Sequence, residues 1–329
     1  MAATPSTPIP TTATGPAGTP TAPGTPGPSA AGKRTGRVRR FVQRYLGAYL
    51  SIAPFYLLFL VFGLFPIVFA LYISFHNWDG ISAMQYVGLD QFRYLVTDEL
   101  FRQAIVNSIV IWVISTVPQL IFALVLAFLL NQSIRGKTLF RIAYFIPNVT
   151  SLVAIAIIFS SIFGNQFGLL NAALQGMGLD RYEWLNTPWG IRIAIATMVV
   201  WRWTGYNALI YLAGLQAIPD DIYDAAKTDG ANTWQLFKDI TVPLLRPVIL
   251  FTVITSTIGG LQIFTEPQVL VGNNGGPGQA GMTMVLYLYQ QAFIQNQFGY
   301  GATIGWGLFV IILVFSIINF KLVNRPSDM

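Results

Sequence analysis

Apolar and polar positions alternate along the chain in long blocks, with six apolar stretches at about 49–74, 104–131, 140–163, 189–215, 243–266 and 299–323. Each approaches or exceeds the ~20 residues that cross a bilayer core at 1.5 Å rise per residue, so six transmembrane helices are predicted. The polar interval from Asp220 to Pro247 organises the rest. It reads as two short helices joined by a turn. Pro219 suits a first helical turn, where a missing N–H costs nothing, and Asp220, Asp221 and Asp224 suit its positive end. Ile222, Ala225 and Ala226 recur at helical spacing and give a narrow apolar stripe. Gly230 is a left-handed stop, and Asn232 caps a second helix carrying Trp234, Phe237 and Ile240. A water-facing helix pair with an apolar stripe has a partner to dock against.

Composition sharpens this picture. Of 329 residues, 54% are hydrophobic and 10% charged, and the mean hydropathy of +0.57 belongs to a polytopic membrane protein. Cysteine is absent and His76 is the single histidine, which excludes thiolate or histidine-cluster metal sites. The net charge of +6 reports topology rather than nucleic-acid binding. With the N-terminus inside, the inner edges hold 14 Lys and Arg: Lys33, Arg34, Arg37, Arg39, Arg40, Arg44, Arg135, Lys137, Arg141, Lys227, Lys238, Arg246, Lys321 and Arg325. The outer edges hold four, Arg93, Arg102, Arg181 and Arg192, an asymmetry that places both termini in the cytoplasm. Residues 1–32 are Pro, Thr, Ala, Gly and Ser with almost no apolar bulk, a composition that stays disordered. The expected division is therefore a cytoplasmic tail over 1–47, ending in the basic run, and a membrane domain over 48–325. Outside, residues 75–103 are expected to pack as a small cap, and Gly272–Gly278 to form a flexible turn.

The loop also carries a resemblance. Asp224-Ala225-Ala226, Asp229-Gly230-Ala231, Phe237, Ile240, Pro243 and Pro247 resemble the EAA loop of the membrane subunits of binding-protein-dependent ABC importers, with Asp224 where the family pattern has Glu. Phe140-Arg141 with Ile146-Pro147, Gly214-Leu215-Gln216 with Ile218-Pro219, Gly275-Gly276-Pro277 and Phe298-Gly299-Tyr300 look like the first-type sugar permeases of that family. The resemblance spans roughly 48–323. It implies an all-α integral membrane protein with the type I ABC importer (MetI-like) permease fold of six transmembrane helices and a cytoplasmic EAA coupling loop at 219–243. It implies ATPase coupling through Asp224, Ala225, Ala226, Asp229, Gly230, Ala231, Phe237, Ile240 and Pro243. The implied partners are a second homologous permease in a heterodimer, a cytoplasmic ABC ATPase dimer, an extracytoplasmic solute-binding protein and the lipid bilayer of a bacterial plasma membrane. No Walker A sequence is present, so ATP and Mg belong to the separate ATPase, this chain binds no cofactor directly, and it is a transport subunit rather than an enzyme. The implied substrate is a disaccharide or oligosaccharide; glycerol phosphate is the alternative solute. A secondary transporter would need an internal repeat and a membrane-centre carboxylate, and neither is read here.

Within the membrane, Arg202 falls at the middle of the fourth stretch, in Trp201-Arg202-Trp203-Thr204-Gly205-Tyr206-Asn207. An arginine at that depth must face protein or water. It is either a donor to sugar hydroxyls beside Trp203 and Tyr206, or part of a buried ion pair or a tie to a carbonyl of the partner subunit. Counting 1.5 Å per residue puts Glu266 roughly 15 Å higher, so no acid is expected beside it. Aromatic faces flanked by hydroxyls and amides suit sugars. Gap-free resemblance to the family's maltose permease places pathway positions at Val199, Arg202, Trp203, Tyr206, Ser256, Gly260 and Ile263. Val199, Gly260 and Ile263 depart from the types expected there, and Asn207, Gln262 and Thr265 are the nearby substitutes. The pathway set is thus Arg202, Trp203, Tyr206, Asn207, Ser256, Gly260 and Gln262. Pro118, Pro147 and Gly259-Gly260 are the positions where helices are expected to bend or pack closely.

Overall fold

A computed structural model describes residues 32–131 and 136–323, with backbone alone over 32–44, at 137 and over 322–323. The tail over 1–31, Arg135 and Arg325 lie outside the described residues. The chain divides into two units, residues 1–63 and 64–329. In the first, α1 (Gly32–Phe59) runs through the basic segment into apolar sequence. From Tyr45 to Phe62 the large apolar side chains of this unit are exposed. Such a surface is stable only in lipid or against another subunit.

The second unit opens with α2 (Phe65–Ile73). The expected cap follows as a hairpin in which β1 (His76–Asn77) pairs antiparallel with β2 (Gln85–Tyr86), and then α3 (Asp90–Thr97). Asp98 begins α4 (Glu99–Asn131) by accepting from the amides of Leu100 and Phe101 through Oδ1. Its Oδ2 accepts from the hydroxyls of Tyr287 and Tyr300, which pins the later elements α14 (Met284–Tyr289) and α15 (Phe298–Val323) to the start of α4.

The third apolar stretch is not one continuous helix. It forms α5 (Lys137–Val149) and α6 (Leu152–Phe163), whose axes meet at 95°. Pro147 lies inside α5, and the chain turns three residues later, where Thr150 and Ser151 are extended. Thr150 donates both its amide and its hydroxyl to the carbonyl of Ile146, closing the end of α5. After α7 (Leu169–Gly176) comes α8 (Pro188–Gln216), capped at Thr187 with Pro188 in its first turn. At 29 residues it is long enough to span. Its polar side chains keep it from the apolarity shared by Tyr45–Ile73, Glu99–Asn131, Arg246–Val271 and Phe298–Lys321, the four described helices that pass on both counts. The bent pair makes a fifth if it counts as one broken span. Six transmembrane helices were expected; all six stretches carry helix, but among the described residues four, or five with the bent pair, are long and apolar enough to cross a membrane, and the fourth stretch packs one face inside the bundle. Ile191, Ile195, Met198, Ala208, Tyr211 and Leu215 on α8 are almost fully buried, and its most extensive contact is with α4. A helix with one face packed against protein has less need of lipid-grade hydropathy.

The remaining elements are α9 (Asp220–Thr228), α10 (Thr233–Gln235), a π-helical stretch Leu236–Thr241, α11 (Val242–Leu244), α12 (Arg246–Leu261), α13 (Thr265–Val271), α14 and α15. The Gly272–Gly278 segment is a turn, as expected, but a fastened one. Gln103 and Asn107 of α4 donate to the carbonyls of Gly278, Gln279 and Met282, and the amide of Met284 donates to Ser108. Asn107 in turn accepts from Arg192 of α8.

Candidate functional site

The loop at 219–243 has the local form its residues dictate, with two corrections. Pro219 stands before the first helical residue of α9 rather than inside it. The second helix does not end. From Thr233 it passes through the π-helical stretch and α11 into α12, joined by Leu245 in right-handed helical conformation. Gly230 sits at φ +84°, closing the turn that Ala231 seals by donating its amide to the carbonyl of Ala226. Asn232 and Gln235 form a reciprocal capping box.

Asp224 and Lys227 pair at 3.0 Å in the open. Ala225, Asp229, Gly230 and Pro243 are exposed, while Ala226, Ala231, Phe237 and Ile240 are half-buried. Phe237 anchors the segment against Phe128 near the end of α4, with ring centroids 5.0 Å apart. Tyr223 and Thr241 share a hydrogen bond that ties α9 to the π-helical stretch. Between these parts lies a cleft of about 560 Å³ that Asp220, Asp224, Lys227 and Asn131 border.

The pathway residues converge. Arg202, Trp203, Tyr206, Asn207, Ser256, Gly260 and Gln262 all line one cavity of about 380 Å³, walled mainly by α8 and α12. Val199, Ile263 and Thr265 border it too. Trp203 and Tyr206 meet edge to face at 5.6 Å. Asn207 is buried and donates to the carbonyl of Trp203. At Gly260 an added Cβ would fall 2.6 Å from Trp112 of α4, so the missing side chain is what lets α12 approach α4 here.

Glu266 is not remote from Arg202. Its Oε1 accepts from Arg202 Nη1 at 3.0 Å, with the two side chains 16% and 6% exposed for Arg202 and Glu266. The 1.5 Å count presumed an unbroken fifth span, whereas helical geometry stops at Gln262 and resumes only at Thr265. The carbonyl of Ile263, released by that break, accepts from Thr283 Oγ1. The Arg202 guanidinium also lies over the Trp203 ring at 5.1 Å. Thr116 and Gln119 of α4 line the cavity as well and were not singled out from the sequence. Their signal was available: two polar residues at i and i+3 on an apolar helix share a face.

This geometry has relatives. The description "binding-protein-dependent transport system inner membrane component" matches residues 24–326. The chain is 38% identical over 288 residues to a lactose transport system permease protein of Rhizobium radiobacter, covering 86% of this chain and 96% of that one. It is 39% identical over 299 residues to an arabinooligosaccharides transport system permease protein of Bacillus subtilis strain 168, covering 90% and 94%. In fold it is similar to a chain of a bacterial alginate ABC transporter solved with an alginate pentasaccharide-bound periplasmic protein, with TM-score 0.77 and 22% identity over 89% of this chain and 99% of that one. The helical architecture is that of the MetI-like permeases, and the chain belongs to the family of inner-membrane components of binding-protein-dependent transport systems.

Proposed function

We propose that this chain forms half of the translocation pathway of an ATP-driven importer for a disaccharide or oligosaccharide, working by alternating access. One observation carries the reading: α8 and α12, which wall the cavity, are the helices that the 219–243 loop connects. A displacement of the loop therefore acts on both walls. The sugar class is supported by relatives named for lactose and for arabinooligosaccharides, and by a cavity that combines ring faces with amide, hydroxyl and guanidinium groups. Its volume falls within the usual range for small-ligand sites, about 300–1,000 Å³. A second homologous permease completes the pathway. A solute-binding protein delivers sugar on the α3 side, and a cytoplasmic ATPase dimer carrying ATP and Mg grips the loop through Asp224–Phe237. Its closure turns the cavity outward, and hydrolysis resets it. Both termini face the cytoplasm.

The test is uptake in a strain lacking this chain, supplied with labelled disaccharides, short oligosaccharides and glycerol phosphate. Sugar uptake should vanish and return with the gene. Loss confined to glycerol phosphate would replace the sugar reading.

A further inference from the structure

Arg202 and Glu266 are the two charged residues among those lining the cavity, and they are joined at 3.0 Å. Arg202 Nε is buried without an acceptor, and one face of the guanidinium is covered by Trp203. Glu266 is therefore its counter-charge. An unpaired guanidinium on this wall would give the cavity a net positive charge in a weakly screened setting, and would favour carboxylated or phosphorylated solutes. Paired, the same two groups are electrically balanced yet still offer charge-assisted donors and acceptors, which match hydroxyls in both directions.

We propose that Glu266 is a specificity-determining residue that neutralises Arg202 and so commits the cavity to uncharged sugars against sugar acids and sugar phosphates. The proposal rests on the cavity being the sugar pathway. It places the decision on α13, beyond the break after α12, and not on the aromatic wall.

The chain has no cysteine, so Ser256→Cys in the cavity lining supplies its single thiol. In vesicles holding the assembled transporter, its labelling rates with 2-sulfonatoethyl and 2-trimethylammonioethyl methanethiosulfonate, each relative to a free thiol, read the local potential. The anion-to-cation ratio should be near unity with the pair intact. Glu266→Gln should raise it about tenfold, Arg202→Gln should lower it by a similar factor, and the double variant should restore it, as expected for one unit charge at short range. An intact-pair ratio already tenfold toward the anion overturns the proposal, and so does a Glu266→Gln ratio that stays at unity. The first of these needs no change to the pair, so it decides even where a single variant fails to assemble. A transported neutral sugar should slow both reagents. Absence of that protection, with the ratios as expected, would remove the sugar pathway and the specificity claim with it while leaving the charge pairing intact.

Discussion

Trp203 carries two contacts at once, over Arg202 and edge to face with Tyr206. Trp203→Ala removes the ring that a sugar would stack on. We expect a rise of roughly tenfold in half-saturation for uptake, or ~1–2 kcal/mol, with receptor affinity unchanged because the receptor is a separate protein. Kinetics of labelled-sugar uptake check it, and unaltered kinetics would assign the ring to packing. The ion pair makes a second prediction, for stability. Arg202→Met leaves Glu266 buried beside an apolar wall, and losing one partner of a buried pair costs about 3–5 kcal/mol. Changing both, as Arg202→Met with Glu266→Leu, should recover most of that loss. Thermal unfolding of the purified complex distinguishes the two, and equal losses would show that the pair is not energetically coupled.

At the scale of elements, the turn at Gly230 and the hairpin tip at Asp79 each yield a test. No atom lies within 4 Å of a Cβ added at Gly230, so a substitution there is penalised by backbone alone. At φ +84° a β-branched residue suffers most, while Asn tolerates the left-handed region. Gly230→Val should therefore insert normally but lose transport and ATPase co-purification, and Gly230→Asn should keep much of both. Equal behaviour of the two variants would contradict the turn as the cause. At the hairpin tip, Asp79 accepts from the amides of Ile81 and Ser82 and from the Ser82 hydroxyl. These bonds hold its carboxyl down from 3.8 to about 2. A depressed folded value means that the stabilisation is fully present above about pH 4 and fades as pH falls toward 2. Protection of the Ile81 and Ser82 amides, taken relative to the intrinsic exchange rate at each pH, should fall across that window and stay level above it.

These elements also show where sequence is legible. Gly230 and the Asn232 cap were readable because a turn and a capping box are fixed by residues three or four apart. The convergence of Trp203, Tyr206 and Ser256 was implied by the family resemblance, and it holds because two regular helices carry them; Gln262 stands just past the end of α12. The 95° turn after Val149 was legible only as a bend expected at Pro147; its size and its place at Thr150 and Ser151 were not, since those residues carry no breaking signature and the proline sits inside the helix. Glu266 was misplaced for the same kind of reason. The break at Gln262 depends on Thr283, twenty residues from the Ile263 carbonyl it satisfies, and no local pattern reports such a bond.

For the whole molecule, the orientation proposed above rests on charge. The segment over 2–32 is neutral apart from its amino terminus, whereas Arg37, Arg39, Arg40 and Arg44 stand just before the first apolar stretch. Deleting 2–32 should leave insertion and uptake intact, because uncharged residues place no constraint on translocation. Replacing those four arginines with Gln as well should disturb topology or yield. Protease accessibility in sealed vesicles reads the outcome, and loss of uptake from the short deletion alone, at normal protein levels, would give the tail a role of its own. The continuity of backbone from Thr233 to Leu261 has a further consequence, for which lengths of chain can vary. That stretch is a shaft, with the turn at Gly230 at one end and Ser256 about 35 Å along it at 1.5 Å per residue. A shaft has a phase as well as a length. One inserted residue would turn everything beyond it by about 100°, swinging Ser256 and Gly260 off the cavity wall while leaving every motif spelled as before. A single-residue insertion between Leu245 and Ser256 should therefore abolish transport whatever the residue, whereas the same insertion in the loop over 178–181 should pass unnoticed.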